Sequence, residues 1–255
     1  MVDILAIIYT WDRYEMLRQS LQSMFNQPGM NFRLWVVEQG SYRSNMYGED
    51  SGIKQLALLI DYYKNGLIET LILNQKNVGT HYAINQLMSL AKLELDTPTP
   101  SKLAVDLGFS NNAVQWKIIK PDFVFQSNDD MIFEPNWLLE SYNALIATED
   151  YPGGKVVIAS PFHCVWYGKE IPTLATYKGY KLLDWCCGNT WLMRTSTWLD
   201  DFGFYRTDSL NDGGDSDKLA ICAKNNWHQV MTKIEYAHHA PEAMGKGKYH
   251  RSGHW

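Results

Sequence analysis

The sequence predicts an α/β fold with a largely parallel sheet. Solid apolar runs of strand length recur along the first half, and each is followed by a segment with helical spacing. Each run also ends on polar residues, where parallel sheets bind ligands. Residues 4–9 (ILAIIY) read as the first strand, and 13–25 place Tyr14, Leu17, Leu21 and Met24 at helical spacing. Residues 32–38 (FRLWVVE) are a second strand, 53–63 a helix, 69–74 a strand, 81–93 a helix and 123–126 a fourth strand. The second half is less regular: 156–160 and 190–193 read as strands and 216–224 as a helix. Alternating strands and helices without an internal repeat or linker predict one shared core.

Composition bounds the function. The chain has 255 residues, 45% hydrophobic and 13% aromatic, which is a globular composition and excludes a disordered chain. The ten tryptophans are expected in the core. A formal charge of -5 argues against nucleic-acid binding over the whole surface, though not against a local basic patch. The start, MVDILAIIYTWDR, does not read as a signal peptide, and no apolar run approaches the roughly 18 residues that span a bilayer. Cys164, Cys186, Cys187 and Cys222 show no zinc-type pairing and are expected to be free thiols, which suits a cytoplasmic location.

One stretch poses a chemical question. In FVFQSNDDMIF, residues 123–133, two adjacent carboxylates, Asp129 and Asp130, lie between apolar runs. Like charges repel and their desolvation is costly unless something pairs with them, as a divalent cation would.

Seven segments in order resemble GT-A-fold glycosyltransferases of the family 2 type. AIIYTWDRYEMLRQSLQSM resembles their opening strand and helix, and VVEQGS their second strand end. NVGTHYAIN resembles their Asn-x-Gly segment, and FQSNDDMIFEPNWL their DxD segment with its following Pro and Trp-Leu. CGNTWLMRTSTWLDDFGF resembles the Gly-rich acceptor strand, GGDSDKLAICAKNNWHQV the acidic helix start, and EYAHHA the final strand. The resemblance covers nearly the whole chain and implies a Rossmann-like mixed sheet with helices on both faces. It implies a single catalytic domain over 1–255: a nucleotide-sugar half at 1–145, an acceptor half at 146–240 and a basic tail at 241–255.

The resemblance also implies roles. DxD carboxylates hold Mn2+ or Mg2+ against the diphosphate of a nucleotide-sugar, a UDP-sugar being expected, and such hard cations take oxygen ligands. Asn128, Asp129 and Asp130 match that motif; Asn128 departs from the usual acid, and Asp130 is the expected direct ligand. His239 or His238 matches the His that completes the metal site. Thr10, Arg13, Glu38, Asn77, Gly79 and Asp129 match positions around the nucleotide and diphosphate. Asp215 is the implied general base of an inverting displacement, although Gly214 stands where the family has Glu. Asp215 or Asp217 could instead cap the helix start. Lys246, Lys248, His250 and Arg251 would let the tail close over a diphosphate.

Residues 94–120 are an insertion relative to that pattern. Within it, SKLAVDLGFSNNAVQWKI resembles the helix-turn-helix of phage repressors and Cro, with Ala104, Gly108, Val114 and Ile118 at the packing and turn positions. Asn111, Asn112, Gln115 and Lys117 would then face DNA, where Asn and Gln read adenine and Lys reads guanine or phosphate. The combination suits a phage enzyme that glycosylates hydroxymethylated bases in duplex DNA. The alternative for the insertion is an amphipathic helical hairpin packed on the core. The alternative functions are a glycan- or small-molecule-directed glycosyltransferase, a sugar nucleotidyltransferase, and a non-catalytic DNA-binding protein on a transferase fold. The nucleotidyltransferase is disfavoured because TWDR lacks a glycine-rich loop.

Overall fold

The computed structural model describes residues 2–44, 50–96, 121–163, 165–166, 169–183, 190–206 and 214–240, with the side chains of 93–96, 165–166, 169–170 and 214–216 outside that description. Residues 97–120 of the insertion and the tail 241–255 therefore lie outside the described residues.

The first half follows the expected order: β1 (Ile4–Thr10), α1 (Tyr14–Phe25), β2 (Arg33–Glu38), a 3₁₀ turn (Ser41–Arg43), α2 (Ser51–Lys64), β3 (Thr70–Leu73), α3 (Thr80–Asp96) and β4 (Phe123–Asn128). Then come β5 (Met131–Phe133), α4 (Trp137–Thr148), β6 (Lys155–Ser160), β7 (Val165–Trp166), β8 (Lys169–Glu170), β9 (Thr173–Tyr177) and β10 (Tyr180–Leu183). The last elements are β11 (Trp191–Arg194), a π-helical turn (Thr197–Asp201), α5 (Gly214–Asn225), β12 (Trp227–Met231) and β13 (Ala237–His239).

Among the described residues, nine strands form one sheet in the order β3-β2-β1-β4-β11-β6-β12-β10-β9, so both halves of the chain share it. The first half is parallel, β1 pairing with both β2 and β4. The sheet as a whole is mixed, because β11 runs antiparallel to β4 and β6, and β10 antiparallel to β12 and β9.

β1 shows why its sequence is apolar without alternation. Ile4, Ala6 and Ile8 pack on one face with Leu17, Leu21 and Met24 of α1 and Trp137 and Leu138 of α4. Leu5, Ile7 and Tyr9 pack on the other with Ala83, Ile84 and Leu87 of α3 and with Trp198 and Cys222. A strand covered on both faces carries mostly apolar residues on each. Trp137 is fully buried, its ring 4.3 Å from Phe125 and 4.5 Å from Phe133. Trp137→Ala is expected to destabilise the fold by about 3–5 kcal/mol, the usual cost of truncating a core aromatic, as read from a denaturant midpoint.

Sequence spacing does not mark α4, β5, β12 or the β9–β10 hairpin. In α4 the buried positions keep a helical period, Trp137, Leu138, Ser141, Ala144, Leu145 and Thr148, but two carry hydroxyls. Ser141 and Thr148 satisfy those hydroxyls on the carbonyls of Trp137 and Ala144, at 2.7 and 2.8 Å, so they fit an apolar face. The hairpin turns at Lys178 and Gly179, both with positive φ, and most of β9 faces solvent. No described helix is long and apolar enough to cross a membrane. Of the four cysteines, Cys222 is described; its thiol is buried.

Candidate functional site

The site lies at the carboxyl ends of β1 and β4, which are neighbours with Tyr9 opposite Asn128. That register brings TWDR and NDD together although they are more than a hundred residues apart in sequence. The Thr10 hydroxyl donates to Asp129 Oδ2 at 2.6 Å, and Arg13 Nη1 donates to Asp129 Oδ1 at 2.9 Å. The same Arg13 nitrogen lies 3.5 Å from Asp130 Oδ2. The Tyr9 hydroxyl donates to Asn128 Oδ1. Asp129 and Asp130 are both buried, so their charges are held by a guanidinium at the mouth of the strand pair. Burial pushes the Asp129 carboxyl above the usual carboxylate range; Arg13 pulls it back, and the neighbouring Asp130 charge pushes it further up.

The final strand completes this corner. β13 pairs antiparallel with β5, placing His239 opposite Met131 and His238 opposite Ile132. Ala240 N–H donates to the Asp130 carbonyl at 2.7 Å, which ties the strand end to the carboxylate turn. His239 Nδ1 then lies 3.8 Å from Asp130 Oδ1, while its ring sits edge-on to Phe162 at 5.1 Å. The neighbouring His238 is exposed. Of the two candidate imidazoles, His239 is the one beside the carboxylate.

The donor set fits a hard or borderline divalent cation. A buried carboxylate and an adjacent imidazole offer oxygen and nitrogen ligands, as manganese accepts. Among the described residues no three His, Cys, Asp or Glu side chains form by themselves a group that could hold a metal ion.

The wall of the site is built from the turns that follow β2 and β3. Glu38 is fully buried, and its two oxygens accept Gly40 N–H at 2.9 Å and Ser41 N–H at 2.7 Å. It shapes the turn from inside. Gly40 itself has φ +72°, and a Cβ there would sit 2.7 Å from the Lys76 backbone. Gly40→Ala is thus expected to cost about 1–2 kcal/mol from the left-handed backbone alone, and to move the 75–77 segment. A denaturant midpoint measures the first effect and nucleotide titration the second. Gln39 Oε1 accepts Val78 N–H at 3.2 Å, and Asn77 Oδ1 accepts Gly79 N–H at 2.8 Å. Gly79, with φ +86°, then starts α3 by accepting Ala83 N–H at 3.1 Å. Asn77 is exposed at this helix start, where backbone N–H groups attract anions.

A second buried network was not legible. Asp12 N–H and Gln55 Nε2 both donate to Ser41 Oγ, at 2.8 and 2.7 Å. Arg13 N–H donates to Gln55 Oε1 at 2.7 Å, and Ser44 Oγ donates to Asp12 Oδ2 at 2.6 Å. These bonds fix the backbone that carries Thr10 and Arg13. Asp12 and Ser41 follow strands directly and could have been found there; Gln55, on the buried face of α2, carried no such signal.

Asp215 lies in the first turn of α5 by its backbone, its side chain being outside the described residues. Asp217 Oδ1 lies 3.7 Å from Arg206. Asn111, Asn112, Gln115 and Lys117, with the whole helix-turn-helix resemblance, and Lys246, Lys248, His250 and Arg251 of the tail lie outside the described residues.

No protein-family model and no curated protein sequence matches the chain. Solved structures do. The mannosyltransferase PcManGT of Pyrobaculum calidifontis, in complex with GDP-Man and Mn2+, superposes with a TM-score of 0.53 at 14% identity, covering 91% of this chain and 55% of that one. TarS of S. aureus gives 0.59 at 10% identity, covering 95% and 37%. GalNAc-T7 with UDP, GalNAc and Mn2+ gives 0.58 at 12% identity, covering 94% and 44%. The chain thus spans about half or less of each of these proteins. It has the fold of the GT-A-type glycosyltransferases.

Proposed function

We propose that the chain is a metal-dependent glycosyltransferase that moves a sugar from a nucleotide-sugar to a hydroxyl acceptor with inversion. The observation that carries this reading is the corner where Thr10, Arg13, Asp129, Asp130 and His239 meet at the ends of β1, β4 and β13. Fold neighbours that bind GDP-Man with Mn2+, or UDP with GalNAc and Mn2+, support it. Asp130 and His239 would hold the cation, Asn128 being engaged by the Tyr9 hydroxyl. A divalent cation there supplies neutralisation of charge on the leaving diphosphate.

The chain's own groups do the rest. Arg13, at the mouth of the carboxylate pair, would meet a phosphate oxygen as well. The N–H groups at the start of α3, beside Asn77 and Gly79, face the same end of the sheet. Thr10 orients Asp129, and Glu38 with Gln39 sets the wall toward the nucleoside. Asp215 takes the proton from the acceptor hydroxyl as the sugar carbon is attacked from the face opposite the leaving group. We assign the donor as a UDP-sugar.

For the acceptor we propose hydroxymethylated bases in duplex DNA, on the sequence at 101–118. The test is transfer to duplex DNA containing 5-hydroxymethylated pyrimidines, with Mn2+ and a panel of UDP-sugars, the nucleosides being read by mass spectrometry. A pentose or hexose mass on the modified base is expected. No added mass, together with metal-dependent UDP release from one sugar, would exclude the DNA acceptor and leave a glycan or small-molecule acceptor.

A further inference from the structure

Lys218 is a buried lysine that the proposed mechanism does not use. It lies in α5 and is 1% exposed. Its ammonium donates to three successive carbonyls, those of Phe202 at 2.7 Å, Gly203 at 2.9 Å and Phe204 at 3.3 Å. An ammonium has three donors, and all three are used. The nitrogen also lies 4.3 Å from the Tyr205 ring centroid and 5.8 Å from that of Phe202. Burying a charge among neutral carbonyls and rings is costly, and an apolar side chain would fill the same space at less cost. Stability alone therefore does not account for it.

The segment that Lys218 gathers is joined to the donor side at its next residue. The Tyr205 hydroxyl donates to Gln126 Oε1 at 3.2 Å, and Gln126 lies in β4, three positions before Asp129. Tyr205 N–H donates to Asn85 Oδ1 and Asn85 Nδ2 donates to the Tyr205 carbonyl, both at 2.8 Å. The Tyr205 ring stacks on His81, at 5.5 Å, in the first turn of α3. Lys218 is in turn three residues after Asp215, one turn along the same helix. One chain of contacts thus runs from the start of α5 through residues 202–205 to β4 and α3.

We propose that Lys218 is a positioning residue: by gathering the Phe202, Gly203 and Phe204 carbonyls, it fixes the helix start bearing Asp215 against the donor strand through Tyr205. The assignment rests on the reading of Asp215 as general base. Burial lowers the Lys218 ammonium to about 8, so it remains largely charged at neutral pH and keeps its three donors. The segment it holds ends beside Arg206, whose guanidinium lies 3.7 Å from Asp217 of the same helix start, a second tie between the two.

The test compares wild type, Lys218→Met and Tyr205→Phe by hydrogen exchange and by kinetics. In folded Lys218→Met, amides of 202–206 and 214–218 are expected to exchange about tenfold faster or more, with those of β1 and β4 unchanged. Donor affinity is expected to hold within about twofold while kcat falls about 100-fold, as for a catalytic group misplaced by an ångström. Unchanged exchange in those two segments, or unchanged kcat, would overturn the proposal. If Lys218→Met does not fold, Tyr205→Phe decides. It keeps the ring under the ammonium and removes the bond to Gln126, so faster exchange at 202–206 with a lower kcat is expected. Wild-type exchange in that variant would overturn the proposal. If wild type transfers no sugar, the glycosyltransferase reading fails, and hydrogen exchange alone still decides whether Lys218 holds the helix start.

Discussion

Asp215→Asn is expected to bind donor as wild type does and to lose transfer by about 100- to 10,000-fold in kcat, the range for loss of a general base. Asn keeps the size of the side chain and removes its ability to accept a proton. The loss should fall on kcat with little change in donor KM, because the interaction exists only as the acceptor hydroxyl is deprotonated. The backbone of Asp215 sits in the first turn of α5, and Lys218 and Arg206 tie that turn to the 202–206 segment. Wild-type turnover in the variant would remove Asp215 from the mechanism. Asp217, two residues on and 3.7 Å from Arg206, would then be the group to vary next.

Asp130→Ala is expected to weaken metal-dependent nucleotide binding by about 100-fold or more, the equivalent of about 3 kcal/mol for a lost charged ligand. The fold should survive, because Asp129 keeps both Thr10 and Arg13 as partners. Removing one of two adjacent buried carboxylates also relieves their repulsion, so thermal stability without metal is expected to stay level or rise. Calorimetric titration of UDP in the presence of Mn2+ checks the first expectation and a thermal melt the second. Unchanged affinity would take Asp130 out of the cation site.

The parallel half of the fold was legible because both faces of its strands are covered. Residues 4–9, 32–38 and 123–126 are therefore apolar runs that no helix of that length would need. In the antiparallel half, 156–160 and 190–193 read as strands and are β6 and β11, but nothing in the sequence marks the β9–β10 hairpin. The hairpin β9–β10 lies at the sheet edge with β9 largely exposed, and its side chains carry no continuous apolar signal. In the site, the residue types were legible and their partners were not. Two adjacent aspartates require a counter-charge, and a divalent cation is the expected one; Arg13 also supplies it, from just beyond the carboxyl end of the neighbouring strand. Only the β1–β4 register shows that, since the sequence separation between Arg13 and Asp129 is 116 residues. Glu38 illustrates the same point: its place at a strand end is legible, and the Gly40 and Ser41 N–H groups that its buried carboxylate accepts are not. Lys218 had no sequence signal, because a lysine at a helix start usually faces solvent.

The most direct measurement of the central claim is release of nucleoside diphosphate from a panel of UDP- and GDP-sugars by the wild-type chain, with Mn2+ and after chelation. Turnover of one donor that requires the metal and disappears in Asp130→Ala is the predicted result. Release that is equal with and without the metal, or equal in Asp130→Ala, would contradict it.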